Sequence, residues 1–272
     1  MKILKIAGGI LKTIIALFMV FYVFGVFFII KDKSLYYWAV ITIVFIFLPA
    51  LFFMFFDKKF VLKFPKWKTK IFIAKIIYIC LIVLLIIAMA LRYNYKTKTE
   101  DALAKINNAV LTIDDVMGNN LPSKPIQELN DMTVAGFDVN NNGIRDDVEL
   151  AIFEKYPDSA KIRAGMLQYA LALQLELTEV INSETLVAVL QKRSDARACI
   201  DNAGPEINIE SDANTVKEAF AITDNRKQEI EDYILNTDLR LNQQKNIFEK
   251  YMTTYSISSE KDCDIDISSL PN

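Results

Sequence analysis

Hydrophobic positions form two different patterns along the chain, and the pattern changes near residue 95. Before that point they form long runs, each close to the ~20 residues that a helix needs to cross a ~30 Å hydrocarbon core. Charge is almost absent inside these runs, and Lys75 lies one turn from the end of its run, where its side chain can reach the interface. Residues 1–95 are therefore predicted to form a three-helix transmembrane anchor, with spans at Thr13–Ile30, Leu35–Phe56 and Ile71–Leu91.

After residue 96 the apolar residues recur every three to four positions, which indicates amphipathic helices. Capping residues, glycines and prolines set the expected helix ends, and Thr97 or Thr99 is expected to cap the first helix. Because no strand-like alternation has a useful length, the predicted fold class is all-α, with residues 96–272 forming a second, helical domain. The polar tail is expected to be partly disordered. The predicted helices cover 97–117, 147–156, 159–181, 183–202, 211–235 and 237–255.

Charge divides the chain at almost the same place. Residues 1–98 carry 15 lysines and arginines and only two acids, whereas residues 99–272 carry 16 basic and 31 acidic residues. The N-terminal flank and the connection at 57–70 together hold nine lysines, against five basic residues in the other flanks of the predicted spans. Because basic residues concentrate on the cytoplasmic side of a membrane, the N-terminus is expected in the cytoplasm and residues ~95–272 outside it.

Composition excludes several kinds of site. The absence of histidine removes the usual general base and most zinc sites. A nucleic-acid partner is not expected for the acidic part, since phosphate binding needs a clustered basic surface. Cys199 and Cys263 both lie in the domain expected to be exported, where a disulfide is permitted, but the sequence leaves their pairing open. Cys80 is expected to be a small apolar residue of the third span.

One stretch of the sequence indicates a specific binding site: DVNNNGIRDDVE, residues 138–149. Its spacing follows the pattern D-x-[DN]-x-[DN]-G-x5-E, in which oxygen ligands wrap a calcium ion. Gly143, at position 6, permits the sharp bend, position 7 offers its backbone carbonyl, and the final glutamate can bind with both oxygens. The candidate metal ligands are Asp138, Asn140, Asn142, the carbonyl of Ile144, Asp146 and Glu149.

This loop resembles a single EF-hand-type calcium loop of exported bacterial proteins, and the resemblance covers only the loop and the helix that follows it. It implies Ca²⁺ as the cofactor, held by those six residues, and a bacterial inner membrane as the location. Arg145 departs from the pattern, because paired EF-hands usually carry an apolar residue there that bridges to a partner loop. No second loop occurs, so a structural ion is favoured over a sensor. The alternative is a polar turn, rich in Asp and Asn, that caps the following helix.

Three functional hypotheses follow from these features. The spans contain no deeply placed ionisable residue, which a transport path would need, so they are interpreted as an anchor. The main hypothesis is a membrane-anchored helical binding or interaction protein with a structural calcium site and a protein partner in the membrane or envelope. The alternatives are a small accessory subunit of a larger membrane complex and a calcium-dependent envelope enzyme. For the enzyme, the paired acids Glu229, Glu231 and Asp232 are more simply a solvated helix face.

Overall fold

The computed structural model of the chain describes residues 68–205, 212–256 and 262–271. Within these ranges the regular secondary structure is helical throughout, which confirms the predicted all-α class. The chain divides into two compact units, Met1–Arg92 and Tyr93–Asn272. The division falls close to the change of hydrophobic pattern near residue 95 in the sequence.

The helices of the described ranges are numbered here in chain order. The four predicted between residues 147 and 235 are present with bounds within about two residues of the expected ones, whereas the last helix ends at Tyr251 rather than near residue 255. The helices are α1 Lys68–Asn108, α2 Ile113–Met117, α3 Gln127–Asn130, α4 Asp146–Lys155, α5 Ala160–Glu179, α6 Ser183–Asn202, α7 Ala213–Ile234, α8 Asp238–Tyr251 and a short 3-10 helix, Ile267–Ser269.

The structure describes only the third of the three predicted membrane spans. Thr13–Ile30 and Leu35–Phe56 lie outside the described residues, and Ile71–Leu91 lies within α1. In the ranges that the structure describes, no helix combines the length and the apolar character needed to cross a membrane. The spans therefore stay predictions of the sequence.

The single helix predicted over 97–117 is wrong. Thr97 and Thr99 lie inside α1, where their hydroxyls donate to the carbonyls of Tyr93 and Tyr95 rather than capping a helix. Helix α1 ends at Asn108, and α2 begins at Ile113 with Thr112 as its N-cap. The Thr112 side chain accepts the N–H of Asp115, and the Asp115 carboxylate accepts the N–H of Thr112, which makes a capping box. The periodic pattern misled here, because Val110, Ile113 and Met117 are exposed, whereas the core takes Leu111 and Val116 from this segment.

Helix α5 forms the centre of the domain. Sixteen of its residues are buried, around its whole circumference, and it packs against α2, α4, α6, α7, α8 and the 3-10 helix. Most of the buried residues in AKIRAGMLQYALALQLELTE are small or apolar, as a helix buried on all sides requires. The buried polar ones, Arg163, Gln168, Gln174 and Glu176, are hydrogen-bonded. At Gly165 the backbone of α6 comes so close that an added Cβ would lie 3.0 Å from the Cα of Ile200, which accounts for a glycine inside a helix.

In the C-terminal tail the structure describes residues 262–271. Residues 262–271 pack along the core, with Ile265, Ile267 and Leu270 partly buried against it. Asp264 accepts a hydrogen bond from the backbone N–H of Leu111, 3.1 Å away, in the segment between α1 and α2. Cys263 forms a disulfide with Cys199 of α6, so the pairing that the sequence left open is present.

The disulfide yields a stability prediction. Replacing Cys199 and Cys263 by serine should lower the free energy of unfolding by about 2–4 kcal/mol, because the bond closes a long loop and restricts the unfolded chain. Their sequence separation is 64 residues. The measurement is chemical denaturation of the full chain, with Cys80→Ser, at the free cysteine, as the control. Equal unfolding midpoints for the double variant and the control would show that the bond contributes nothing.

Candidate metal centre

The loop at 138–149 connects the segment after α3 to the first turn of α4, and its backbone is strongly bent. Asn141 and Gly143 both lie in the left-handed region, with φ of 57° and 85°. The carboxylate of Asp138 holds the bend, because its two oxygens accept the backbone N–H groups of Asn142 and Gly143 at 3.1 and 2.9 Å. A Cβ at Gly143 would also lie 2.7 Å from the side chain of Leu171, so this position needs glycine.

The residues at positions 3 and 5 of the loop both contact the carboxylate at position 12. The side-chain amides of Asn140 and Asn142 each donate to an oxygen of Glu149, both at 3.0 Å. Glu149 is 1% exposed, and burial raises the pKa of its carboxyl to about 7, with the charge of Asp115 acting in the same direction and the two amides opposing it. The loop thus closes onto α4 through the residue that the sequence placed last in the ligand set.

Asp146, at position 9, is fully buried in the first turn of α4. One of its oxygens accepts the backbone N–H of Val139 at 3.0 Å, and the other has no hydrogen-bond partner. Burial raises the pKa of this carboxyl, and the neighbouring charges of Asp138 and Asp147 raise it further. In the described part of the chain, neither Asp146 nor Glu149 is paired with a basic side chain.

Two unpartnered oxygens mark the interior of the loop. In the described residues, four buried side-chain polar atoms lack a hydrogen-bond partner, and two of them are Oδ1 of Asn140 and Oδ2 of Asp146. Buried polar atoms are nearly always paired, since an unpaired one loses its hydration without compensation. Both atoms are hard oxygen ligands of the kind that Ca²⁺ takes. The donor chemistry suits a divalent cation, while the side-chain oxygens of Asp138, Asn142 and Glu149 already accept hydrogen bonds within the loop, as they would in a polar turn.

Ile144, at position 7, contributes differently from the other positions. Its side chain is fully buried in the hydrophobic core, and its N–H donates to Oδ1 of Asn142 at 2.9 Å. The buried side chain fixes the peptide from which the expected carbonyl ligand would come. Among the described residues, no three acidic or cysteine side chains converge closely enough to hold one ion by themselves. Any ion here would depend on the amide and carbonyl oxygens as well as the acids.

The sequence missed two neighbours of the loop. The carbonyl of Asn120 accepts the amide of Asn140 at 3.0 Å, so the turn after α2 supports the loop from outside. Asp115 of α2 adds negative charge near Glu149. No local pattern in the sequence connects the polar run Gly118-Asn119-Asn120 with the loop.

The acids considered for an enzyme are engaged in structural contacts. Glu229 accepts the hydroxyls of Tyr156 and Tyr233 at 3.1 and 2.8 Å and pairs with Lys155. Glu231 accepts the hydroxyl of Tyr169 at 2.5 Å and the guanidinium of Arg193 at 2.7 Å. The expectation of a solvated helix face is wrong for these two acids, which join α7 to α4, α5 and α6.

No protein-family model matches this chain, and no curated protein or solved structure is significantly similar to it. The interpretation of the loop therefore rests on its own residues and geometry.

The bend at Gly143, position 6 of the loop, leads to a prediction about stability. Gly143→Ala should lower the free energy of unfolding by about 1–3 kcal/mol, because alanine disfavours a positive φ and its methyl would press on Leu171. Asn141→Gly is the matched control at the neighbouring positive φ, where glycine removes the same kind of strain. Urea denaturation of both variants checks the pair, and equal losses at the two positions would contradict this description of the bend.

Proposed function

We propose that the chain is a membrane-anchored helical binding or interaction protein whose exported domain carries a structural calcium site. Residues 1–95 form the anchor in a bacterial inner membrane, with the N-terminus in the cytoplasm. Residues 96–272 form the exported domain, which meets a protein partner in the membrane or envelope. The calcium ion binds Asp138, Asn140, Asn142, the carbonyl of Ile144, Asp146 and Glu149.

The observation that carries the calcium proposal is the pair of unpartnered buried oxygens, Oδ1 of Asn140 and Oδ2 of Asp146. Burial of Asp146 and Glu149 without a basic partner disfavours their charged forms, and a bound cation would offset this repulsion and desolvation. A calcium ion binds hard carboxylate, amide and carbonyl oxygens, which are the groups present. We infer a structural role because the loop is single and closes onto the core.

Support for the anchor comes from the three apolar runs and from the distribution of lysines around them. In the third run, large apolar side chains such as Phe72, Val83 and Leu84 are at least 49% exposed. Exposed apolar side chains at this density need an apolar surrounding, which lipid provides. Lipid contact is therefore the simplest account of this helix face.

The disulfide between Cys199 and Cys263 supports the placement of the second unit outside the cytoplasm. Disulfides persist in oxidising compartments and are rare where thiol systems keep cysteines reduced. The lysine distribution leads to the same side of the membrane.

A second candidate function, a small accessory subunit of a larger membrane complex, is favoured by the same exposed apolar face of α1. The spans of another subunit could cover that face instead of lipid. Purification in a mild detergent separates the two functions if the bound partner is mapped by cross-linking, because an accessory subunit would hold a stoichiometric partner through its spans, whereas the main proposal expects contact through residues 96–272.

Calcium dependence tests the proposed site. Ten millimolar calcium should raise the free energy of unfolding of the full chain by about 1–3 kcal/mol, given the affinities usual for extracellular calcium modules. The double variant Asp138→Ala, Glu149→Ala should lose this gain. Asp146→Asn should be as stable as the parent chain in a chelator, because it removes a buried charge, yet gain little from calcium.

The measurement is denaturant unfolding in chelator and in calcium, with Asp232→Asn, an exposed acid outside the loop, as the control. The control should respond to calcium as the parent does. An unfolding midpoint of the parent chain that is the same in calcium and in chelator would remove the calcium site from the proposal.

Membrane topology gives a separate prediction. In a Cys80→Ala background, Lys217→Cys should react with a membrane-impermeant maleimide on intact spheroplasts, since Lys217 is exposed in the proposed outer domain. Lys63→Cys, in the lysine-rich connection, should react only after the membrane is opened. Labelling of Lys63→Cys on intact spheroplasts, or protection of Lys217→Cys, would contradict this topology.

A further inference from the structure

Arg145 occupies position 8 of the loop, between the predicted carbonyl ligand and Asp146, and its side chain is fully buried. Its guanidinium donates to the backbone carbonyls of Tyr233 and Ile234 at 2.6 and 3.2 Å. These carbonyls lie at the end of α7, where helix geometry leaves carbonyls without N–H partners and concentrates negative partial charge. The arginine therefore caps a helix that is distant in the sequence.

Asp147 holds the other side of the same guanidinium. Its two oxygens pair with Nε and Nη2 of Arg145 at 2.5 and 3.1 Å, a two-point contact that fixes the plane of the group. Asp147 also accepts the N–H of Val148 at 3.0 Å in the first turn of α4. Arg145 thus joins the end of the calcium loop to the end of α7 through one rigid group.

A second buried arginine secures the segment that leads into the loop. Arg240 of α8 donates to the carbonyls of Asn130 and Thr133 at 2.7 and 3.2 Å and pairs with Asp131 at 2.7 Å. Asn236, in the turn between α7 and α8, accepts from Arg240 at 2.6 Å and lies 3.4 Å from Arg145. The α7–α8 turn, residues 233–240, therefore contacts the chain before the loop, at residues 130–133, and inside the loop, at Arg145.

We propose that Arg145 is a positioning residue of the calcium site and that calcium binding is coupled to docking of the α7–α8 turn. This inference rests on the proposed calcium site. A single loop has no partner loop to brace it, and the arginine contacts brace it against α7 instead. The brace holds the backbone between Ile144 and Asp146, the residues that would offer one carbonyl and one carboxylate to the ion.

The coupling is reciprocal by thermodynamic necessity. If docking of residues 233–240 strengthens calcium binding, calcium must strengthen their docking by the same factor. A residue that only stabilises the fold would lower stability in calcium and in chelator alike and leave the affinity of the folded protein unchanged. The two roles are therefore separable by experiment.

The test uses the full 272-residue chain in detergent and titrates it with Ca²⁺ by isothermal titration calorimetry. Arg145→Lys, which keeps the charge and loses the two-point contact, should bind calcium about tenfold more weakly, as is usual when a group that orients metal ligands is lost. Arg240→Lys should weaken binding in the same direction and serves if the first variant does not fold. The control is Arg193→Lys, which disrupts ion pairs with Glu176 and Glu231 away from the loop and should keep the parent affinity.

Amide hydrogen exchange supplies the second readout. Calcium should slow exchange in residues 233–240 of the parent chain and of Arg193→Lys, but not in Arg145→Lys. Parent affinity in a folded Arg145→Lys chain, or unchanged exchange at 233–240 in a parent chain that binds calcium, would overturn this inference while leaving the calcium site intact. No calcium binding by the parent chain would overturn both.

Discussion

Asp146 and Glu149 are buried in the first turns of α4, and the described part of the chain pairs neither with a basic side chain. Taking a carboxylate out of water without a counter-charge is costly, which is why burial raises the pKa of both acids. Glu149 receives two amide hydrogen bonds, which compensate it in part, whereas one oxygen of Asp146 and one of Asn140 receive none. These two oxygens are the places in the loop where the proposed cation would supply the missing contacts.

The loop is packed against the helical core, so a change in the loop affects the whole domain. Leu171 of α5 lies against Gly143, and the side chain of Ile144 is buried in the core, so the loop cannot shift without disturbing packing. Arg145 links the loop to the end of α7 through its hydrogen bonds to the carbonyls of Tyr233 and Ile234. An ion in the loop would consequently stabilise elements that are far from it in sequence, which is the behaviour expected of a structural site and not of a local switch.

The contacts that the sequence could predict are local. Asn140, Asn142 and Glu149 stand in one stretch, and their spacing is enough to bring them together. The role of Arg145 could not be predicted, because its partners Tyr233 and Ile234 are 88 and 89 residues away and no sequence pattern connects them. The break after Asn108 was predictable, since Thr112 and Asp115 have capping-box spacing. The contact between Asp264 and Leu111, which helps to order the tail, depends on tertiary packing alone.

The most direct measurement is a crystal structure of the chain grown in calcium, with terbium exchanged into the crystals so that anomalous scattering locates the ion. We predict an ion within about 2.3–2.6 Å of Oδ1 of Asn140 and of the carbonyl of Ile144, with Oδ2 of Asp146 bound directly or through one water. A loop that holds no ion under these conditions, or an ion that leaves both unpartnered oxygens uncontacted, would contradict the account.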